Sequence, residues 1–515
     1  MKKNSFLYGT FILIVVNFIV RFLGFAYKIV LSRIIGAEGI GLFHLVFPIL
    51  MILITFTTAG IPVAVSKLVA YHASLHNKRG CNKILGLSLI LGLLISSLLS
   101  IFLFFYAKYI SIHIIKNEST YFSLIALTPA IPLITLSSIF RGYYYGIKDV
   151  GPPGMSQILE QIFRIAFVLG SLYMISPIPT KYASMIAVMG ISVGELTGLL
   201  CLLFKFKILE AFHLRRTYYA LKTKSKGVLK KIIIISIPIT ITRLVAVIMQ
   251  SINAVLIPQR LQVAGFTSQE AIATFGKLAG MAMPILFLPF IVTSALVVNI
   301  IPSVSEEMAL KNWKDISQKS SLAIRITLLV AIPTTALFLF FADPICMFIY
   351  NQQDVGTFLS LLAFSTAFLC LHHTVSGILH GMGKQVVTTI HHLIGMSIQL
   401  LCTYYLVANP AFAEKGFILG FLFSTLLICL LNLRSLSHYI KLNIKIIDHV
   451  FKPFMATIIM VFVVIYIYKL CIYIHLQSVI SISFSICTGF LSYGSIIILS
   501  RSISFETIKY IFSKK

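Results

Sequence analysis

The sequence predicts an all-α integral membrane protein of about fourteen transmembrane helices: two pseudo-symmetric six-helix lobes plus a C-terminal helix pair. Three observations carry this. The 515-residue chain is 58% hydrophobic and 11% charged, with a mean hydropathy of +0.97, against roughly 45–50% apolar and about 25% charged for soluble domains. Its apolar residues gather into fourteen stretches long enough to cross a bilayer. Its Lys and Arg concentrate in alternate gaps between those stretches, as orientation in a membrane requires. No compact core could hide such an apolar surplus, so a water-soluble enzyme, a secreted domain and a disordered chain are excluded.

Lys2 and Lys3 precede an apolar run reaching about Ile35. It is too long for a signal-peptide core and lacks a cleavage-like site, so it reads as an uncleaved first span, 7–35. The next five spans are 42–68, 83–107, 119–146, 156–177 and 183–205. After a basic stretch come 230–257, 274–303, 319–342, 356–382, 385–408, 416–440, 451–471 and 477–500. Runs this long and continuous are helices, since barrel strands are about ten residues and alternate. Kinks are expected at Pro48, Pro129, Pro132, Pro284 and Pro289.

The net charge of +27 would suggest nucleic acid in a soluble protein. Here the cations lie mostly between apolar runs, and no nucleic-acid partner is expected. With the N-terminus inside, 29 of the 42 Lys/Arg fall in cytoplasmic segments and eight outside, placing both termini in the cytoplasm. The longest polar stretch, 206–229, holds Arg215, Arg216, Lys222, Lys224 and Lys226. It reads as a cytoplasmic loop drawn to anionic lipid headgroups.

That stretch also joins two similar halves. Pro48-Ile-Leu matches Pro284-Ile-Leu at an offset of 236, and Gly142-(x)3-Gly146 matches Gly377-(x)3-Gly381 at 235. Arg21 has a counterpart in Arg243, and Val65-Ser66-(x)3-Ala70 resembles Val304-Ser305-(x)3-Ala309. Near-constant offsets across several helices mark a repeat. The division is 1–228 for the first lobe with its basic linker, 229–445 for the second, and 446–515 for the added pair and tail. Six helices per lobe is an even number, so the lobes share one orientation, an arrangement suited to alternating access.

Five basic residues fall within spans: Arg21, Lys28, Arg164, Arg243 and Arg325. An Arg at mid-bilayer costs roughly 2.5–3.5 kcal/mol on insertion scales and needs a partner, water or a route to the interface. Arg325, six residues from a helix end, can snorkel. Arg21 cannot, and Lys28 shares its helix face. Two acids, Glu160 and Glu195, lie clearly within spans. Glu160 and Arg164 are spaced i,i+4 and can neutralise each other. Glu195 can pair with Arg21 or Arg164, or carry a proton. The interior stays net basic by three, so Arg21, Lys28, Arg164 and Arg243 are candidate ligands of an anion, phosphate being the natural match to a guanidinium fork. Glu160 and Glu195 are left as coupling or structural groups.

Other chemistry is thin. None of the eight cysteines forms a CxxC pair, so neither disulfides nor zinc is indicated. The pairs His372-His373 and His391-His392 point to different sides of their helices and do not make a metal site. No P-loop, GxSxG, HExxH or paired catalytic acids occur, so neither an enzyme nor a cofactor is expected.

Gly36-Ala-Glu-Gly-Ile-Gly-Leu-Phe43, Ala59-Gly-Ile-Pro-Val-Ala-Val-Ser-Lys67, Ser138-Ile-Phe-Arg-Gly-Tyr-Tyr-Tyr-Gly146 and Glu160-Gln-Ile-Phe-Arg164 resemble the stage V sporulation protein B family of spore-forming bacteria. These are polysaccharide-transporter-type members of the flippase superfamily that includes the multidrug and toxic-compound extrusion proteins. The resemblance spans essentially the whole chain, including Pro302-Ser-Val-Ser-Glu306. It implies outward movement of a lipid-linked peptidoglycan precursor during spore cortex synthesis, with membrane lipids as partners and a coupling cation left open. Related lipid II flippases carry Arg-x-x-Gly-Phe-x-Arg-Asp in their first helix. Here Arg21-Phe-Leu-Gly-Phe-Ala-Tyr-Lys28 keeps the first arginine and the Gly-Phe but has Tyr27 and Lys28 in place of Arg-Asp. Two rival readings are a cation-coupled multidrug exporter and a non-transporting scaffold for cell-wall synthesis.

Overall fold

The computed structural model describes residues 6–175, 177–210, 225–352, 354–442 and 447–500, all of whose regular elements are helical. Much of the expected basic linker (Arg215, Arg216, Lys222, Lys224) and the two terminal segments with Lys2, Lys3 and Arg501 lie outside the described residues. Among the described residues, thirteen helical segments are long and apolar enough to cross a membrane. The first of them, Val15–Ser74, is 60 residues long, about 90 Å at 1.5 Å per residue, three times a bilayer core of about 30 Å. It therefore accounts for the first two of the fourteen predicted spans. Exposed Phe105, Tyr173, Met174, Phe462 and Leu491 fit a surface whose solvent is lipid.

Helix α1, Phe6–Thr58, is broken only at Gly36, where φ is 68° and ψ is −178°. That backbone is essentially reserved for glycine, so the loop expected at 36–41 shrinks to one residue. A second interruption at Ala59-Gly60 precedes α2, Ile61–Ser74. Then follow α3, Lys78–Tyr109; α4, Tyr121–Leu127; α5, Ala130–Gly146; α6, Gly151–Ile175; α7, Thr180–Glu210; and α8, Ser225–Val263. The Asn77 side chain caps α3 by accepting the Gly80 N–H at 2.9 Å. Of the expected proline kinks, Pro129 caps α5 after a real interruption, whereas Pro48 sits inside α1 without breaking it.

The remaining helices are α9, Ser268–Phe275; α10, Met283–Leu286; α11, Phe290–Ala309; α12, Trp313–Phe340; α13, Ala342–Tyr350; α14, Asp354–Gly381; α15, Gln385–Tyr405; α16, Glu414–Tyr439; α17, Lys452–Tyr473; and α18, Ser478–Leu499. Pro289 caps α11 and splits the expected 274–303 span.

Packing divides the chain into two compact units, Met1–Gly276 and Lys277–Lys515. The repeat opens its second half near 229, but α8 packs within the first unit. Its Ser251 Oγ donates to the Pro48 carbonyl at 3.3 Å, and its Ile232 is buried in the first unit's core. Sequence repeat and contact therefore cut the chain at different places. In the second unit, α17 and α18 are secured to α12, where Tyr493 Oη donates to the Leu329 carbonyl at 2.9 Å.

Each unit has its own apolar core, and the two cores are built alike. Val65, Val69, Cys81, Phe140, Tyr143 and Tyr144 in the first stand 235 positions before Ile300, Val304, Ile316, Val375, Ile378 and Leu379 in the second. Gly146 rests on Ser66 and Val69, and Gly381 rests on Ile301 and Val304, at the same offset. This equates Val304 with Val69 rather than Val65. The Val65-Ser66/Val304-Ser305 match is thus one helical turn out of register, an easy slip because residues four apart share a face.

Candidate functional site

The first unit buries a cluster of four charges. Glu160 and Arg164 lie one turn apart on α6, and Arg164 Nη2 donates to Glu160 Oε1 at 2.5 Å. Arg141 on α5 reaches the other carboxylate oxygen, Nη2 to Oε2 at 2.8 Å, and lies 3.7 Å from Glu195 Oε2 on α7. Close approach of α7 to α6 permits this: a Cβ at Gly194 would sit 2.8 Å from the Glu160 carbonyl oxygen and 3.1 Å from Arg164 Cβ. The four side chains are only 8–20% exposed. Two cations and two anions cancel, and that balance is what makes the burial tolerable.

The cluster still has bonding capacity to spare. Among the described residues, Arg141 Nε, Arg164 Nε, Gln161 Oε1 and Tyr27 Oη are buried without a hydrogen-bond partner, and the Ser137 hydroxyl and Glu195 carboxylate have none but each other. They come from α1, α5, α6 and α7, the helices that build or border the cluster. Gln161 ties α6 to α1, its Nε2 donating to the Val20 carbonyl at 3.5 Å. A buried polar group without a partner costs about 1–3 kcal/mol. These six groups, drawn from four helices that pack together, mark a polar centre suited to exchanging protons, water or a polar ligand.

Arg164 is therefore already engaged, and Glu195 finds Arg141 rather than Arg21 or Arg164. Arg141 is not among the sequence candidates, because its place near the end of the expected 119–146 span reads as that of an ordinary cytoplasmic cation. The available signal was that two buried acids need two cations and Arg164 supplies one. The other three candidate cations lie elsewhere in the unit. Arg21 is exposed on α1 beside Phe18 and Phe22, Lys28 is half-buried, and Arg243 is exposed on α8; none has an ion pair among the described residues. Arg325, half-buried on α12 of the second unit, keeps an unpartnered Nε.

The histidine pairs are polar packing groups. Thr293 Oγ1 and His373 Nδ1 are 3.3 Å apart, and the His373 ring stacks on Phe290 with centroids 4.8 Å apart. His391 Nδ1 donates to Asn432 Oδ1 at 2.8 Å. Among the described residues no group of three or more His, Cys, Asp or Glu could hold a metal ion.

Residues 6–308 match the family described as polysaccharide biosynthesis protein. The chain belongs to that family. A second match, to the MatE family, covers residues 261–405. Three proteins of Bacillus subtilis (strain 168) are similar to the chain over most of their length. Stage V sporulation protein B is 28% identical over 87% of each chain, as the four motifs imply. Sporulation protein YkvU is 24% identical over 86% of this chain and 97% of its own. Lipid II flippase MurJ is 24% identical over 79% of this chain and 78% of its own. Among solved structures, an inward-facing multidrug resistance MATE family transporter of the MOP superfamily superposes with a TM-score of 0.65 at 16% identity, over 81% of this chain and 94% of that one. A MOP superfamily transporter from Pyrococcus furiosus superposes at 0.55 and 17% identity, over 84% and 96%. The chain thus has the fold of these transporters.

Proposed function

We propose that this membrane protein is a flippase for a lipid-linked oligosaccharide, of the class of peptidoglycan precursors such as lipid II, working by alternating access in cell-wall synthesis at sporulation. It breaks no bond; it lowers the barrier to carrying a sugar diphosphate through hydrocarbon. The observation that carries the reading is the pair Arg21 and Arg243. Both are guanidinium groups on exposed faces of apolar helices with no ion pair among the described residues. Such groups are costly in lipid and cheap beside an anion. Arg21 and Arg243 hold the diphosphate, Lys28 adds charge along the face of α1, and Arg164 contributes through its Nε. Glu160 and Glu195, with Arg141, form the group through which a coupling cation would act. The lobes are 1–228 and 229–445, with 446–515 accompanying the lipid tail, and both termini are cytoplasmic.

Proteoliposomes carrying a fluorescent lipid-linked precursor test this. Wild type should flip it, and Arg21→Ala and Arg243→Ala should lose most of the rate at equal reconstitution. Unchanged flipping by both variants would sink the reading. A cation-coupled multidrug exporter is the second reading, favoured by the buried acids Glu160 and Glu195. Competition by cationic dyes but not by the precursor would establish it.

A further inference from the structure

The second unit carries a cavity that the transport reading does not use. It lies where α15 begins and α16 ends and has a volume of about 500 Å³, within the range of small-molecule sites. We infer that this cavity, lined by His391, Arg434, Ser435, His438 and Tyr439, binds a phosphate-ester anion, either a phospholipid headgroup or a soluble phosphate compound. The inference does not rest on the flippase reading.

Charge points first to an anion. Arg434 and His438 are exposed and have no ion pair among the described residues. Lys384 lies over the Tyr439 ring, 4.6 Å from its centroid, which holds a second full positive charge at the rim. No acid is among the residues that line the cavity, and α16 itself has one, Glu414, at its opposite end. Asp315 on α12, two residues from the Ser317 hydroxyl that donates to the Lys441 carbonyl, accepts instead from the Asn312 side chain. A basic last turn also complements the helix dipole. That role needs neither a cavity nor fixed donors, and both are present.

Side-chain geometry then narrows the anion. Asn432 Nδ2 donates to Ser376 Oγ at 3.0 Å, so Asn432 Oδ1 must accept from His391, at 2.8 Å. His391 therefore carries its proton on Nδ1 and keeps Nε2 as the ring's uncommitted nitrogen. Ser437 Oγ is committed to the Arg434 carbonyl at 2.9 Å, whereas the Ser435 hydroxyl has no hydrogen bond among the described residues. A guanidinium fork, a free hydroxyl, an imidazole acceptor and a nearby ammonium suit a tetrahedral oxyanion with a hydroxyl, better than a planar carboxylate, which the fork alone would satisfy.

The test uses the full chain in two arms. In detergent free of anionic lipid, inorganic phosphate is titrated against chloride at matched ionic strength. In nanodiscs of phosphatidylcholine with or without phosphatidylglycerol, retained lipid is counted by native mass spectrometry. Wild type should bind in at least one arm. Arg434→Gln should weaken that binding about tenfold, the loss of one charge-assisted contact, and Arg434→Lys should fall between. Lys78→Gln, an exposed cation of the first unit, should change nothing. Phosphate binding identifies a soluble ligand, and phosphatidylglycerol retention alone identifies a headgroup. Equal binding by wild type and Arg434→Gln in both arms, with unchanged melting in phosphatidylcholine, overturns the proposal.

Discussion

Glu160 holds two guanidinium groups at once, and its charge is the hinge of the buried cluster. Glu160→Gln leaves Arg141 with only the longer contact to Glu195 at 3.7 Å and leaves Arg164 without an ion pair. Breaking one member of a buried ionic group costs about 3–5 kcal/mol. The variant should melt well below wild type. Adding Arg164→Gln restores neutrality through Arg141 and Glu195, so the double variant should recover much of the loss in a detergent thermal melt. Arg21 behaves differently because it is exposed and has no ion pair among the described residues. Arg21→Ala should keep normal membrane abundance yet fail to complement cortex formation in a sporulating host. Arg21→Lys should retain part of the activity, since the charge survives and the fork does not. Arg325→Ala should do much less.

Among the elements, repeat-related positions differ in how tightly they pack. An added Cβ at Gly142 would sit 2.5 Å from the Pro62 backbone oxygen, whereas at Gly377 the nearest atoms are Val297 side-chain carbons at 2.9 Å. A backbone oxygen cannot swing aside. Gly142→Ala should therefore cost about 1–3 kcal/mol. Gly377→Ala should cost less than Gly142→Ala but still destabilise, because Val297 is a side chain that can shift although both its methyls stand at 2.9 Å, and the better helix propensity of alanine offsets part of that. Parallel melts of the two variants check the contrast. At the start of α9, the Thr267 backbone N–H and hydroxyl both donate to Glu270, holding its carboxyl below the ordinary glutamate range. A depressed pKa contributes stability that is present above about pH 5 and is lost as pH falls through the folded value. The protection factor at 267–272, the observed exchange rate relative to the intrinsic rate at each pH, should fall between about pH 5 and pH 3. Glu270→Gln should remove that dependence.

For the molecule as a whole, the fourteen spans make a claim about sidedness. On a background lacking native cysteines, single cysteines at 78 and 224 should label from the cytoplasmic face, and at 117 and 414 from the other. Labelling of either pair on the wrong face contradicts both the orientation and the reading of the repeat as two like-oriented lobes.

The sequence by itself determined the membrane class, the number of spans, the repeat and the Glu160–Arg164 pair. Each is written in short-range pattern: continuous apolarity over about twenty residues, charge in the gaps, and a spacing of four on one helix face. Only the tertiary structure decided which charges meet and which stand alone. Arg141 lies 19 residues from Glu160 and 54 from Glu195 in sequence, and no periodicity connects residues on three different helices. Contact also decided that α8 packs within the first unit although it opens the second repeat, because a repeat records ancestry of the chain while packing follows whichever surfaces are complementary. The cavity at Arg434 and His391 came from the same source: its residues are ordinary positive-inside charges and lobe histidines until α15 and α16 bring them to one place.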